Sequence, residues 1–154
     1  MAHSIFKLSG AILACFTLLA GCGPRHPAPT SEDLSSIEKC CQFATSCSAV
    51  SDWGTFYDIL HPDIQRQLTR KQFILGIKLH GKFSRLIRKA EFQSAVAAGE
   101  RGTARIAYRG DTYEVPFRQD AAGWKIWMSE DEVARLEDEV EANLSAKHDG
   151  QSKP

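Results

Sequence analysis

The sequence predicts an α+β domain in which N-terminal helices pack on a four-stranded antiparallel meander, followed by a C-terminal acidic helix. Three observations carry this. Apolar residues recur at a period of about 3.6 from Leu34 to Ile77. The period changes to 2 after Gly81, and the alternating runs are separated by short Gly-containing turns.

The chain opens with one basic residue, Lys7, ahead of an apolar run from Leu8 to Ala20. That run is shorter than the ~20 residues needed to span a bilayer. It ends in small residues, as a cleaved signal does. Its end, Leu19-Ala20-Gly21-Cys22, resembles the lipobox of bacterial lipoproteins, in which a peptidase cuts before the cysteine and the cysteine carries lipid. Cys15, after Ile12-Leu13-Ala14, is a poorer match. The resemblance implies a signal peptide over 1–21 and lipid attachment at Cys22, so a membrane is the first expected partner. One acyl chain holds a protein marginally, at about 0.8 kcal/mol per buried methylene, and the several chains of a lipoprotein make attachment effectively permanent. An Asp after the cysteine is the enterobacterial signal for inner-membrane retention. Gly23 stands there, so the expected location in the cell envelope is the outer membrane facing the periplasm, ahead of the inner membrane.

Residues 22–32 read as the lipidated cysteine and a tether. Gly23 to Thr30 holds three prolines, giving an extended spacer of ~25 Å at about 3.1 Å per residue. The folded domain is expected over 33–128. Its first helix runs from Asp33 to Val50, capped by Thr30 or Ser31, with Leu34, Ile37, Cys41, Ala44 and Cys47 at helical spacing. Ser51-Asp52 opens a second helix whose Trp53, Phe56, Tyr57 and Leu60 share one face, and His61-Pro62 ends it. Thr69-Arg70-Lys71-Gln72 matches a capping box and starts a third helix, with Gly81 as its stop.

A long strand is expected over Ser84–Ala97, with Ala90, Phe92 and Val96 on one face. Gly99 to Gly102 turns the chain. Ala104, Ile106 and Tyr108 alternate with polar neighbours, Gly110-Asp111 turns again, and Tyr113, Val115 and Phe117 alternate in the next strand. Pro116 predicts a bulge or weak ladder there. Asp120 to Gly123 leads into Trp124-Lys125-Ile126-Trp127-Met128. Ser129-Glu130-Asp131-Glu132 is a further capping box and heads an acidic amphipathic helix over 129–145. Its Val133, Leu136, Val140 and Leu144 form a narrow apolar stripe suited to a protein partner. Residues 146–154 read as a disordered polar tail.

Formal net charge is zero, which points to neither nucleic acid nor a strongly anionic partner. Charge is unevenly placed. Basic residues dominate from His61 to Arg109 and acidic ones from Glu130 to Glu141, which reads as a basic and an acidic side of one domain. The basic, apolar-interleaved stretch Lys78–Lys89 reads as a solvated junction, with contact to anionic headgroups as the alternative. Cys40, Cys41 and Cys47 read as small buried thiols, with an intermolecular bridge as the alternative. In a helix, Cys40 and Cys47 stand ~10 Å apart, beyond the reach of a disulfide. No Gly-rich phosphate loop, His-x-x-x-His, Gly-x-Ser-x-Gly or metal-ligand cluster is present, so no metal, cofactor or catalytic residue is assigned.

Helices followed by a meander ending in Gly123-Trp124-Lys125-Ile126, with the aromatic pair of Trp53-Gly54-Thr55-Phe56-Tyr57 ahead, resemble the nuclear transport factor 2-like superfamily over about Leu34–Met128. The resemblance implies a curved sheet wrapped against helices, making a cone with an apolar pocket. Trp53, Tyr57, Tyr108, Tyr113 and Trp124 are the ligand-pocket candidates. Ketosteroid isomerases and polyketide cyclases of this fold place an Asp base and Tyr or His donors in the pocket. Asp58, His80, Tyr57, Tyr108 and Tyr113 are the residues such chemistry would ask for. The expected function is non-enzymatic: a membrane-anchored lipoprotein binding an apolar ligand or an envelope protein. An isomerase- or cyclase-like enzyme is the alternative.

Overall fold

The computed structural model describes residues 25–79, 81–135 and 137–138. The lipobox with Cys22, His80, Leu136, residues 139–145 (with Val140 and Leu144) and the 146–154 tail lie outside the described residues.

Helix α1 spans Ile37–Ala49 and is capped by Ser36, whose hydroxyl accepts from Lys39 N at 3.2 Å. It starts later than Asp33 because Asp33 is used elsewhere. Its carboxylate accepts from the backbone N–H and the hydroxyl of Thr30, at 2.8 and 2.6 Å, closing a turn before the helix. Ile37, Cys40, Phe43, Ala44 and Cys47 are buried along α1, and Cys41 is half-buried. Helix α2, Trp53–Tyr57, is capped by Asp52.

His61-Pro62 starts a helix rather than ending one. Helix α3 is Pro62–Gln67, with His61 as its cap. Proline suits the first helical position because its missing N–H has no partner to lose there. Helix α4, Arg70–Leu79, follows the expected capping box: Thr69 N and Oγ1 donate to Gln72 Oε1 at 2.9 and 2.6 Å. Gly81 does not end the helical region. It opens helix α5, Gly81–Lys89, where the first part of a long strand was expected.

Strands β1 (Glu91–Ala98), β2 (Arg101–Tyr108), β3 (Asp111–Asp120) and β4 (Gly123–Ile126) form one antiparallel sheet in sequential order. The β2–β3 hairpin turns on Arg109 and Gly110, one residue earlier than Gly110-Asp111. Both have positive φ, 55° and 89°, as a tight primed turn requires.

Two strand expectations are corrected. A register shift falls between Phe92 and Ser94. The extra residue reverses the side-chain alternation beyond it. Phe92 packs against the core, while Val96 is 72% exposed on the other face. Pro116 causes no bulge: β2 and β3 pair without a shift from Arg101↔Arg118 to Tyr108↔Asp111. The Pro116 carbonyl accepts from Trp127 N at 2.9 Å, so its backbone nitrogen faces the same side, beyond the Phe117↔Ile126 pair that ends β4. The reciprocal bond to Trp127 is the one proline cannot donate, and the β3–β4 ladder ends at this point.

The helices cover one face of the sheet. Trp124, Phe117 and Ala104 of the sheet share one buried core with Leu34 and Ile37. Gly102 lies at the closest approach: a Cβ there would overlap Ile37 Cδ1 and come within 3.1 Å of the Trp124 ring. The outer edge of β4 is closed by the helical half, through Trp124 N to Leu34 O at 2.8 Å and Ile126 N to Ile59 O at 2.9 Å. After β4, Ser129 and Glu132 form the expected capping box, and residues 130–135 and 137–138 are helical. Val133, the first residue of the proposed partner stripe, is 1% exposed and belongs to the core.

Candidate functional site

A cavity of ≈ 380 Å³ lies between the helices and the sheet. Its walls follow from local sequence. The α1 stripe puts Cys41 and Ala44 on one side, and Phe56 of α2 with Phe73 of α4 forms the floor, their rings stacked at 5.8 Å between centroids. Leu86 and Ile87 of α5 line another side, and Phe92, Ile106, Val115 and Phe117 are supplied by the sheet. Phe92 joins this wall through its pairing with Ile106, and beyond the bulge Ala95 and Ala97, opposite Ala104 and Gly102, take the same face in place of Val96. Segment 126–135 contributes Ile126, Met128 and the polar pair Glu132 and Arg135.

The lining is mostly apolar, and the polar groups in it are largely engaged. Thr45 Oγ1 donates to Cys41 O at 2.9 Å. Glu114 pairs with Arg105 at 3.2 Å, and Glu132 caps the final helix through Ser129. Burial, helped by nearby Glu38, pushes the Cys41 thiol up to about 12, so it stays neutral at ordinary pH and is no nucleophile. Cys40 and Cys47 are likewise free thiols pushed up to about 12 by burial. Such a lining suits an apolar guest held by contact area, with orientation set near Glu132 and Arg135.

None of the five aromatic candidates lines this cavity. Trp53 packs on Phe56 at 5.7 Å beneath the Arg88 guanidinium. Tyr57 donates its hydroxyl to Leu68 O at 2.7 Å, and burial raises its pKa. Trp124 is buried where α1 meets the sheet. Tyr108 lies under the Arg109 guanidinium at 5.3 Å, and Tyr113 is 37% exposed. The five candidate rings fill the packed core or rim, and the rings around the open space are Phe56, Phe73, Phe92, Phe117 and Trp127 instead. Phe92, Ile106 and Val115 were readable as an apolar strand face, but alternation alone does not distinguish a core wall from a cavity wall. Asp58, a residue that isomerase-like chemistry would need, is ion-paired with Arg70 and does not line the cavity.

A second depression, of ≈ 310 Å³, lies across the sheet around Val96, Thr103, Arg118 and Trp127. Among the described residues no group of three His, Cys, Asp or Glu could hold a metal ion, and no helix is long and apolar enough to cross a membrane. No protein-family model, curated protein or solved structure matches the chain.

Proposed function

We propose that the protein is a lipid-anchored component of a bacterial cell envelope whose domain binds an apolar ligand between its helices and its sheet. The observation that carries this is the ≈ 380 Å³ apolar cavity, a volume within the range of small-molecule sites. The anchor rests on Leu19-Ala20-Gly21-Cys22 and on the short apolar run before it. Gly23 after the cysteine favours the outer membrane, facing the periplasm. Helices laid on one face of a four-stranded meander support a cone of the nuclear transport factor 2-like kind, with a curved sheet and the acidic helix after Ser129 closing one side.

The test is to purify the mature lipoprotein from membranes and identify co-purifying small molecules by mass spectrometry, beside a Leu86→Trp variant. Leu86 is half-buried on the cavity wall, so the larger ring enters open space. The expected result is an apolar compound retained by the parent chain and lost from a normally folded Leu86→Trp. Equal retention by both would refute the cavity as the binding site. Cys22→Ala tests the anchor separately: lipid labelling and cleavage before residue 22 are both expected to disappear.

A further inference from the structure

We infer that helix α5 lies against the membrane surface, its basic side chains on anionic phospholipid headgroups. This rests on the lipid attachment at Cys22 proposed above. The first support is the length of free chain. The Pro-rich segment is not a free spacer as far as Thr30, because His26 is fixed to the domain. Its N–H donates to Asp52 Oδ2 at 2.8 Å, its carbonyl accepts from Thr55 Oγ1 at 3.4 Å, and its ring packs edge-on to Phe43 at 4.8 Å. Only four residue steps separate Cys22 from His26, a reach of about 14 Å fully extended. The surface around Asp52 is therefore held close to the bilayer.

The second support is charge. Between Ile64 and Ala90 there are eight Lys or Arg and no Asp or Glu. The C-terminal end of α5 meets the chain one residue from the pin, where Arg88 Nη2 donates to Ser51 Oγ at 2.8 Å and the guanidinium covers Trp53. Arg85, Arg88 and Lys89 are exposed on α5, and Lys78 is exposed on α4. Two nearby acids are engaged, Asp52 by His26 and Thr55 and Asp58 by Arg70, and Glu91 begins β1 two residues beyond Lys89. Two of the eight, Arg66 and Arg70, are paired with Asp63 and Asp58, and the short leash meets the remaining basic surface at one end of the domain. Leu86 and Ile87 of the same helix line the cavity, so this contact sets the cavity beside the headgroup layer.

The test uses the mature lipidated protein in vesicles of phosphatidylcholine alone or mixed with phosphatidylglycerol. Lysine acylation rates are read at Lys78 and Lys89. Lys39, near the far end of α1, is the reference. In phosphatidylglycerol vesicles Lys78 and Lys89 are expected to react at least about 5-fold more slowly than in neutral ones, the weight of one basic residue at an anionic surface. The protection is expected to vanish in about 1 M salt, where the screening length is ~3 Å. It is also expected to fall in Arg85→Glu, whose exposed site leaves thermal unfolding unchanged. Flotation of the same samples separates the two claims. Protein that fails to float loses both the anchor and this orientation. Protein that floats while Lys78, Lys89 and Lys39 react alike in both lipids overturns the orientation alone.

Discussion

The two edges of the sheet are finished in opposite ways. At β4, Leu34 and Ile59 accept backbone bonds from the strand, His61 donates to Ile126 O at 2.8 Å, and Leu60 forms a parallel bridge with Ile126. Lys125 reaches inward to Asp58 O at 2.7 Å. At β1, seven of the eight residues are exposed, and only Phe92 packs against the core. One edge is welded to the helical half. At the other, a bulged strand and a basic helix lean over an open cavity. Leu60 and Ile126 of the welded edge also line the cavity, so the contrast is one of packing: stability is expected to reside at the β4 side, and the looser cavity wall at the β1–α5 side, where Phe92, Leu86 and Ile87 face open space.

The largest effect that can break this comparison is truncation of one aromatic from each side. Trp124→Ala removes a buried ring at the β4 side and is expected to cost about 3–5 kcal/mol in urea unfolding. Phe92→Ala removes a half-buried ring beside existing space and is expected to cost clearly less, about 1–2 kcal/mol. Equal costs would mean that the cavity wall is as tightly packed as the welded edge.

The thiols sharpen the same contrast through pH. Cys40 and Cys47 are fully buried on the packed side of α1, and burial raises both to about 12, against about 9 for the exposed group. Below pH 9 these thiols are neutral in folded and unfolded chains alike, and their contribution to stability is complete. As pH rises from about 9 towards 12, the unfolded chain ionises them and the folded one does not. Stability therefore falls, by up to about 1.4 kcal/mol per pH unit for each thiol. Urea unfolding between pH 8 and pH 11 should show that slope, and Cys40→Ala/Cys47→Ala should reduce it, leaving the share of Cys41, which burial also raises to about 12. An unchanged slope in the double variant would place the alkaline sensitivity elsewhere.

Two glycines make a smaller, opposite-signed pair. Gly102→Ala forces a methyl into the Ile37 side chain and towards the Trp124 ring, with an expected loss of about 1–3 kcal/mol. Gly81→Ala meets nothing within 4 Å at the start of α5 and is expected to be neutral or to stabilise by up to about 1 kcal/mol. Thermal unfolding of both variants distinguishes a filled side from an open one.

Legibility in the sequence followed the same division. Where a signal was local and its partners lay within four residues, it could be read: the Asp52 cap, the Thr69–Gln72 and Ser129–Glu132 boxes, and the three hairpins, the middle one to within a residue. Features set by distant contact were misread. Gly81 resembles a helix stop, yet Phe83, Leu86, Ile87 and Ala90 fall at helical spacing, and the last three line the cavity. His61-Pro62 carries both a stop and a start signal. The pairing of Leu60 with Ile126, far along the chain, accompanies the start. The bulge after Phe92 has no residue signature in Gln93, so the exposure of Val96 was hidden. The cavity walls were legible as apolar positions and illegible as a cavity, because periodicity reports which side faces inward and not what it meets there.

Tyr57→Phe is the finest probe of the division, because it alters one hydrogen bond on the packed side without changing shape. The Tyr57 hydroxyl fastens α2 to the end of α3 through Leu68 O, and Gln65 Nε2 returns a bond to Tyr57 O at 2.9 Å. Its removal leaves the Leu68 carbonyl without that donor and is expected to cost about 1 kcal/mol. The phenol does not line the cavity, so retention of the proposed apolar ligand should be unchanged. A variant of nearly parental stability that loses its ligand would show that the α2–α3 joint shapes the cavity, and the separation between a packed edge and a looser cavity wall would fail.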